Sequence, residues 1–108
     1  MKSDFLANHF ETVTMPAVPQ DITGAYTSDL LSDVMGHAKH GDVLITIQSH
    51  KNTVAVAALA GISAIILCNN RPVPEDMIEA ANNEDISIFR THENQFETSC
   101  RIRQLLDA

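Results

Sequence analysis

Apolar and polar positions follow one another along this chain in blocks that predict strands and helices in alternation. Val43-Leu44-Ile45-Thr46-Ile47 is a largely β-branched run that suits a strand buried on both faces. Gln48, Ser49 and His50 then interrupt it, Asn52 offers an N-cap, and an alanine-rich helix over Thr53–Ala60 ends at Gly61. A second apolar run, Ser63–Cys68, finishes in Asn69, Asn70 and Arg71. Pro74 suits a first helical position, Glu75 and Asp76 suit the first turn, and Met77, Ile78, Ala80 and Ala81 supply an inner face. Ile86–Phe89 predicts a further short strand. Thr91 then stands as the cap of a last helix with Phe96, Cys100, Ile102, Leu105 and Leu106 on its apolar side.

Upstream, Ser28 is placed to cap a helix on which Leu30, Leu31, Val34, Met35 and Ala38 form one stripe. Ser32, Asp33, His37 and His40 fall on its other face, and Gly41-Asp42 ends it. Asp21–Tyr26 predicts a short strand running into a loop. The first twenty residues are peripheral: a short helix over Asp4–Phe10 with Phe5, Leu6 and Phe10 inward, a short strand over Glu11–Met15, then the interruptions of Pro16 and Pro19. Strand and helix alternating in this way predict an α/β fold, a single domain with a mostly parallel β-sheet and helices on both faces. It spans residues 1–108, with its core from about 20 to 106. The Thr53–Ala60 helix has almost no polar face, so it is either buried on both sides or covered by another subunit.

Composition narrows the partners. The chain of 108 residues carries 7 basic and 14 acidic side chains, a net charge of −7. Nucleic acid and anionic membranes demand clustered Lys and Arg, so neither is expected as a partner. Cys68 and Cys100 form no CxxC pair and fit two buried thiols in a reducing cytoplasm. No apolar run approaches the ~20 residues of a membrane span.

In a parallel sheet the strand C-termini gather polar groups along one edge, where open α/β sheets bind ligands. Gln48-Ser49-His50, Asn69-Asn70-Arg71 and Thr91-His92-Glu93 all fall there, and Thr23-Gly24 and Ser28-Asp29 are expected to join them. His50 could serve as acid, base or phosphate donor, or merely cap its turn. Arg71 could clamp a phosphate or carboxylate, or stand free in a loop. His37 and His40 have HxxH spacing without a recognisable third ligand, so no metal is expected. Gly36–Gly41 has the spacing of half a phosphate loop, but Asp42-Val43 follow in place of Lys-Ser/Thr and the order is helix then strand.

Asp21-Ile-Thr-Gly-Ala25, Ser28-Asp-Leu-Leu-Ser-Asp-Val-Met35 and Ile45-Thr-Ile-Gln-Ser-His-Lys-Asn52 with Val54-Ala-Val56 together resemble the DRTGG-domain family. Ile22 stands where the motif has Arg, and Ala25 replaces its final Gly. The resemblance implies a domain similar to the N-terminal domain of HPr kinase/phosphorylase, and a regulatory or dimer-forming module. Kinase activity in that namesake belongs to a separate P-loop domain, of which this chain has no Walker motif.

Three functions follow as expectations. The leading one is a non-catalytic homodimeric module that takes a small anionic or nucleotide-like ligand, without a cofactor, through Thr23, Gly24, Ser28, Asp29, Gln48, Ser49, His50, Asn52, Asn69 and Arg71. The second is a structural module that binds a protein partner and no small ligand. The third is a small enzyme pairing His50 with Asp33 as acid and base.

Overall fold

The computed structural model describes all 108 residues. A 3-10 helix, Ser3–Asn8, precedes strand β1 (Glu11–Thr14). There follow β2 (Gly24–Thr27), α1 (Leu31–His37), β3 (Asp42–Thr46), α2 (Lys51–Ala60), β4 (Ala64–Leu67), α3 (Glu75–Asn83), β5 (Ser87–Arg90) and α4 (Gln95–Asp107). The five strands form one sheet in the order β1-β5-β4-β3-β2. β2 to β5 are parallel, and β1 closes one side antiparallel to β5 with an irregularity between Thr12 and Thr14. This is the expected α/β architecture.

Every residue of β3 and β4 is buried, as their unbroken apolar runs require of central parallel strands. Successive side chains alternate between two cores. Leu44, Ile65, Leu67 and Ile88 meet Val34, Val54, Ala57 and Met77 of α1 to α3. Val43, Ile45, Ile66 and Phe89 meet Ile102 of α4 together with Leu6 and Phe10. Because β2, β3, β4 and β5 step across the sheet in one direction, right-handed connections carry α1, α2 and α3 to the same face. α4 leaves β5 for the opposite face and packs on β2 and β3.

Several local expectations change. β2 begins at Gly24, not at Asp21, because Gly24 pairs with Asp42 at the start of β3. The α2 N-cap is His50 and not Asn52; its Nδ1 accepts the Asn52 amide at 3.0 Å. α4 is capped by Asn94 in a reciprocal box with Glu97 and not by Thr91. Ser28 accepts only the Leu30 amide, and α1 starts at Leu31. Phe96 and Phe5 are exposed rather than inward, and of the two thiols only Cys68 is buried. α2 buries Thr53, Val54 and Ala57, while Leu59 on its outer side is 78% exposed. No helix is long and apolar enough to cross a membrane.

Candidate functional site

The β3–α2 turn is one of three polar strand ends, and most of its polar side chains are engaged with the protein itself. Asp29 is the hub. Its Oδ1 accepts from Thr46 Oγ1 (2.9 Å), the Ile47 amide (2.9 Å) and Gln95 Nε2 (3.0 Å), tying β2 to β3 and α4. Gln48 Nε2 donates to the Asp29 carbonyl at 2.9 Å. Ser49 Oγ donates to the Pro72 carbonyl, and Thr53 Oγ1 donates to the Gln48 carbonyl. His50 is spent on its cap. Asn52 contributes its backbone amide to that cap from within the helix.

Thr23 and Gly24 do not join this edge. They stand at the opposite end of the sheet, where the parallel strands begin, and the Thr23 amide bonds the Gly41 carbonyl at 3.0 Å. A Cβ on Gly24 would lie 2.7 Å from Asp42 Oδ1, so close packing accounts for the glycine. The strand boundary moved by three residues, and the motif moved with it from one end of the sheet to the other.

An open α/β sheet forms a ligand crevice where neighbouring strands send their connections to opposite faces. Here that happens once, between β4, which leads to α3, and β5, which leads to α4. The two loops lean on each other: the amides of Asn69 and Asn70 donate to the carbonyls of Glu93 and Thr91, both at 2.9 Å. This bend holds Asn69 and Asn70 at φ of 60° and 51°, a left-handed conformation that asparagine tolerates better than most residues. Beside it opens a cavity of about 350 Å³ lined by Asn8, His9, Asn70, Arg90, Thr91, His92 and Arg101 among others.

Two arginines enter the wall of this cavity, each steadied by a carboxylate. Arg101 contacts Glu93 at 2.8 Å, donates to the His9 carbonyl at 2.7 Å and lies over the Phe10 ring. Arg90 contacts Glu11 at 3.2 Å. The His92 and Asn70 side chains are exposed at the mouth and make no hydrogen bond within the protein. Arg71 follows directly; its guanidinium is exposed and has no ion-pair or hydrogen-bond partner. Under the bend, Cys68 is buried and its Sγ lies 3.5 Å from Thr98 Oγ1. Burial, helped by the nearby Asp29 and Glu93 carboxylates, pushes that thiol above its ordinary range.

Of the ten expected residues, Ser28, Asp29, Gln48, Ser49, His50 and Asn52 thus cluster at the ends of β2 and β3. Asn69 and Arg71 flank Asn70 in the β4–α3 loop but do not line the cavity, and Thr23 and Gly24 belong to neither region. The crevice also draws on His9 from the N-terminal segment, which no spacing pointed to, and on Arg101 from α4. Asn70 and His92 were legible as members of the polar edge, though nothing local distinguished them from their neighbours.

An acid–base pair of His50 with Asp33 does not form. Asp33 Oδ2 instead accepts the Tyr26 hydroxyl at 2.6 Å, and Oδ1 lies 3.1 Å from His37 Nδ1. The Tyr26 bond is the main cause that holds the Asp33 carboxyl below its ordinary range, and the same bond raises the Tyr26 phenol. No group of three or more His, Cys, Asp and Glu side chains is placed to hold a metal ion.

A family model described as DRTGG domain matches residues 22–105. No curated protein matches the chain.

Proposed function

The chain belongs to the DRTGG-domain family, a family of regulatory modules, and from that premise we propose that it is a non-catalytic homodimeric module taking a small anionic or nucleotide-like ligand. The observation that carries the reading is the polar cavity beside the bend where β4 and β5 diverge, with Asn70 and His92 unengaged in its lining and Arg71 next to Asn70 in the chain. Arg90 and Arg101 stand in its wall as charge-assisted hydrogen-bond donors, each with its charge offset by a carboxylate, Glu11 or Glu93. The ligand site proposed on this geometry comprises Asn69, Asn70, Arg71 and His92, with Arg90 and Arg101 behind them. Binding rather than turnover fits the engagement of His50 and Asp33 with separate structural partners. Two unpaired thiols fit a reducing cytoplasm, and a net charge of −7 disfavours nucleic acid.

The test is a thermal-shift panel of nucleotides, sugar phosphates and acyl phosphates, followed by calorimetric titration of any hit. A ligand at ~100 times its Kd adds about 2.7 kcal/mol, a shift on the order of 10 °C for a domain of this size. Arg71→Ala and His92→Ala are expected to weaken such a hit about tenfold or more, as losses of charge-assisted hydrogen bonds do, without lowering the melting temperature of the free protein. A flat panel with folded protein overturns the ligand reading, and full affinity in both variants removes the ligand from this crevice.

A further inference from the structure

Half of the crevice comes from a part of the chain that the family match does not cover. Five of the ten residues lining the cavity, Ala7 to Glu11, precede residue 22, where the match begins. They lie at the end of the 3-10 helix and the start of β1, and two arginines of the matched region hold them there. Arg101 donates to the His9 carbonyl and lies over the Phe10 ring, and Arg90 meets Glu11. Leu6 and Phe10, both buried, anchor the same segment in the core on the α4 side of the sheet. The segment is a packed wall of the cavity.

This wall brings His9 into the same cavity as His92, which comes from the β5–α4 loop. Of the five histidines in the chain, these are the two that line it. His92 is exposed, and His9 is half-buried with its ring edge-on to Phe5 at 5.1 Å. Neither imidazole makes a hydrogen bond or ion pair within the protein, so the ring nitrogens are left for a ligand. The fixed charges around them cancel. Glu11 on β1 lies 3.2 Å from Arg90 on β5, and Glu93 in the loop lies 2.8 Å from Arg101 on α4. Asp4 on the 3-10 helix and Arg71 on the β4–α3 loop both fall outside the lining. Imidazole is the side chain that gains its charge between about pH 8 and about pH 5, where arginines and carboxylates hold theirs. The two rings therefore set the net charge that this cavity presents to an anion.

We propose that His9 and His92 bind the ligand as imidazolium groups, so that the crevice takes a divalent oxyanion together with protons. The inference rests on the ligand reading above; it names the chemistry of the ligand and its coupling to pH. Each protonated ring offers a charge-assisted N–H donor, and the Asn70 side chain adds a neutral one. Arg90 and Arg101 add the N–H groups that their carboxylates leave free. A phosphate monoester and free inorganic phosphate share this chemistry.

Calorimetric titration of the full chain with sulfate tests it, from about pH 8 to about pH 5.5 at constant ionic strength. Sulfate stays a dianion throughout, so any change in affinity belongs to the protein. Affinity is expected to rise about tenfold or more toward the acid end, as one or two charge-assisted bonds are gained. Repeating the titration in buffers of different ionisation heat is expected to show protons taken up on binding. His9→Gln and His92→Gln should each lose part of the rise, and the double variant all of it and the proton uptake, with melting temperatures unchanged near pH 8. His37→Gln alters an exposed histidine outside the crevice and should keep the full rise. A rise that survives the double variant reports only the general loss of negative charge in acid and overturns the proposal. Sulfate affinity level with pH, or no sulfate binding at any pH, also overturns it, and the thermal-shift panel then decides the ligand reading separately. Inorganic phosphate and glycerol phosphate, compared at one pH, separate the two sources: tighter binding of the ester supports a phosphate monoester, and tighter binding of the ion supports free phosphate.

Discussion

The β3–α2 turn and the β4/β5 crevice are neighbours on the same edge of the same sheet, both rich in polar residues, and they do opposite things. At the first, Asp29, Gln48, Ser49, His50 and Thr53 are consumed in holding β2, β3, α2 and α4 together. At the second, loop backbones satisfy each other and leave the Asn70 and His92 side chains free beside a cavity. The difference arises from the connections. β2, β3 and β4 send theirs to one face, whereas β4 and β5 diverge; their loops bond to each other, and the cavity opens beside that bend, between the N-terminal segment, β5 and α4. Polarity at a strand end therefore marks a candidate, and divergence of the chain distinguishes the proposed site from the others.

The comparison can be broken most forcefully at Asp29. Asp29→Ala strands the buried Thr46 hydroxyl and the Ile47 amide, and is expected to lower unfolding free energy by about 2–4 kcal/mol in urea titrations. A loss well under ~1 kcal/mol means that the turn is not the structural clamp described here. His50→Ala removes the α2 cap and is expected to lose about 1 kcal/mol, within the usual range for N-cap residues, with ligand affinity unchanged. His92→Ala should show the reverse pattern, intact stability and reduced affinity. Identical behaviour of the two histidine variants erases the distinction between the regions.

Thiol chemistry sharpens it further. Cys68 lies sealed beneath the crevice with its ionisation opposed by burial, while Cys100 is exposed on α4. Native protein should react with one equivalent of a thiol reagent, and denatured protein with two; a second rapid equivalent in the native state indicates that the crevice floor opens.

The smallest effect lies away from both regions, at Tyr26 and Asp33. The Asp33 carboxyl is held below its ordinary 3.8, so its contribution is present above that pH and lost as pH falls through the lower folded value. The Tyr26 phenol is raised above 10.0, so its contribution is present below that pH and lost as pH rises through the higher folded value. Tyr26→Phe should lower stability slightly near neutrality, where both contributions are present, and flatten the profile so that variant and wild type converge at the extremes, as pH-dependent urea midpoints would show.

Much of the fold was legible because burial imposes local patterns. The unbroken apolar runs of β3 and β4 announced central parallel strands, and the stripe through Leu31 and Val34 announced α1. Caps were less legible, since Asn52 and His50, or Thr91 and Asn94, compete within a few residues and only the path of the chain chooses between them. The Asn94/Glu97 box was nevertheless written in the spacing. Thr23 and Gly24 illustrate the sensitivity of a site to strand limits: a shift of three residues carries a side chain the length of a short strand, about 10 Å.

What the sequence determined by itself is the order of elements, the α/β class, the family, and which strand ends are polar. Those follow from periodicity and local chemistry, which each segment carries alone. The tertiary structure decided that α4 crosses to the face opposite α1 to α3, that His9 and Arg101 arrive at the β4/β5 crevice, and that β2 is left as an open edge of the sheet. Each of these depends on pairing between strands and packing of helices far apart in the chain, and no segment holds that information within its own residues.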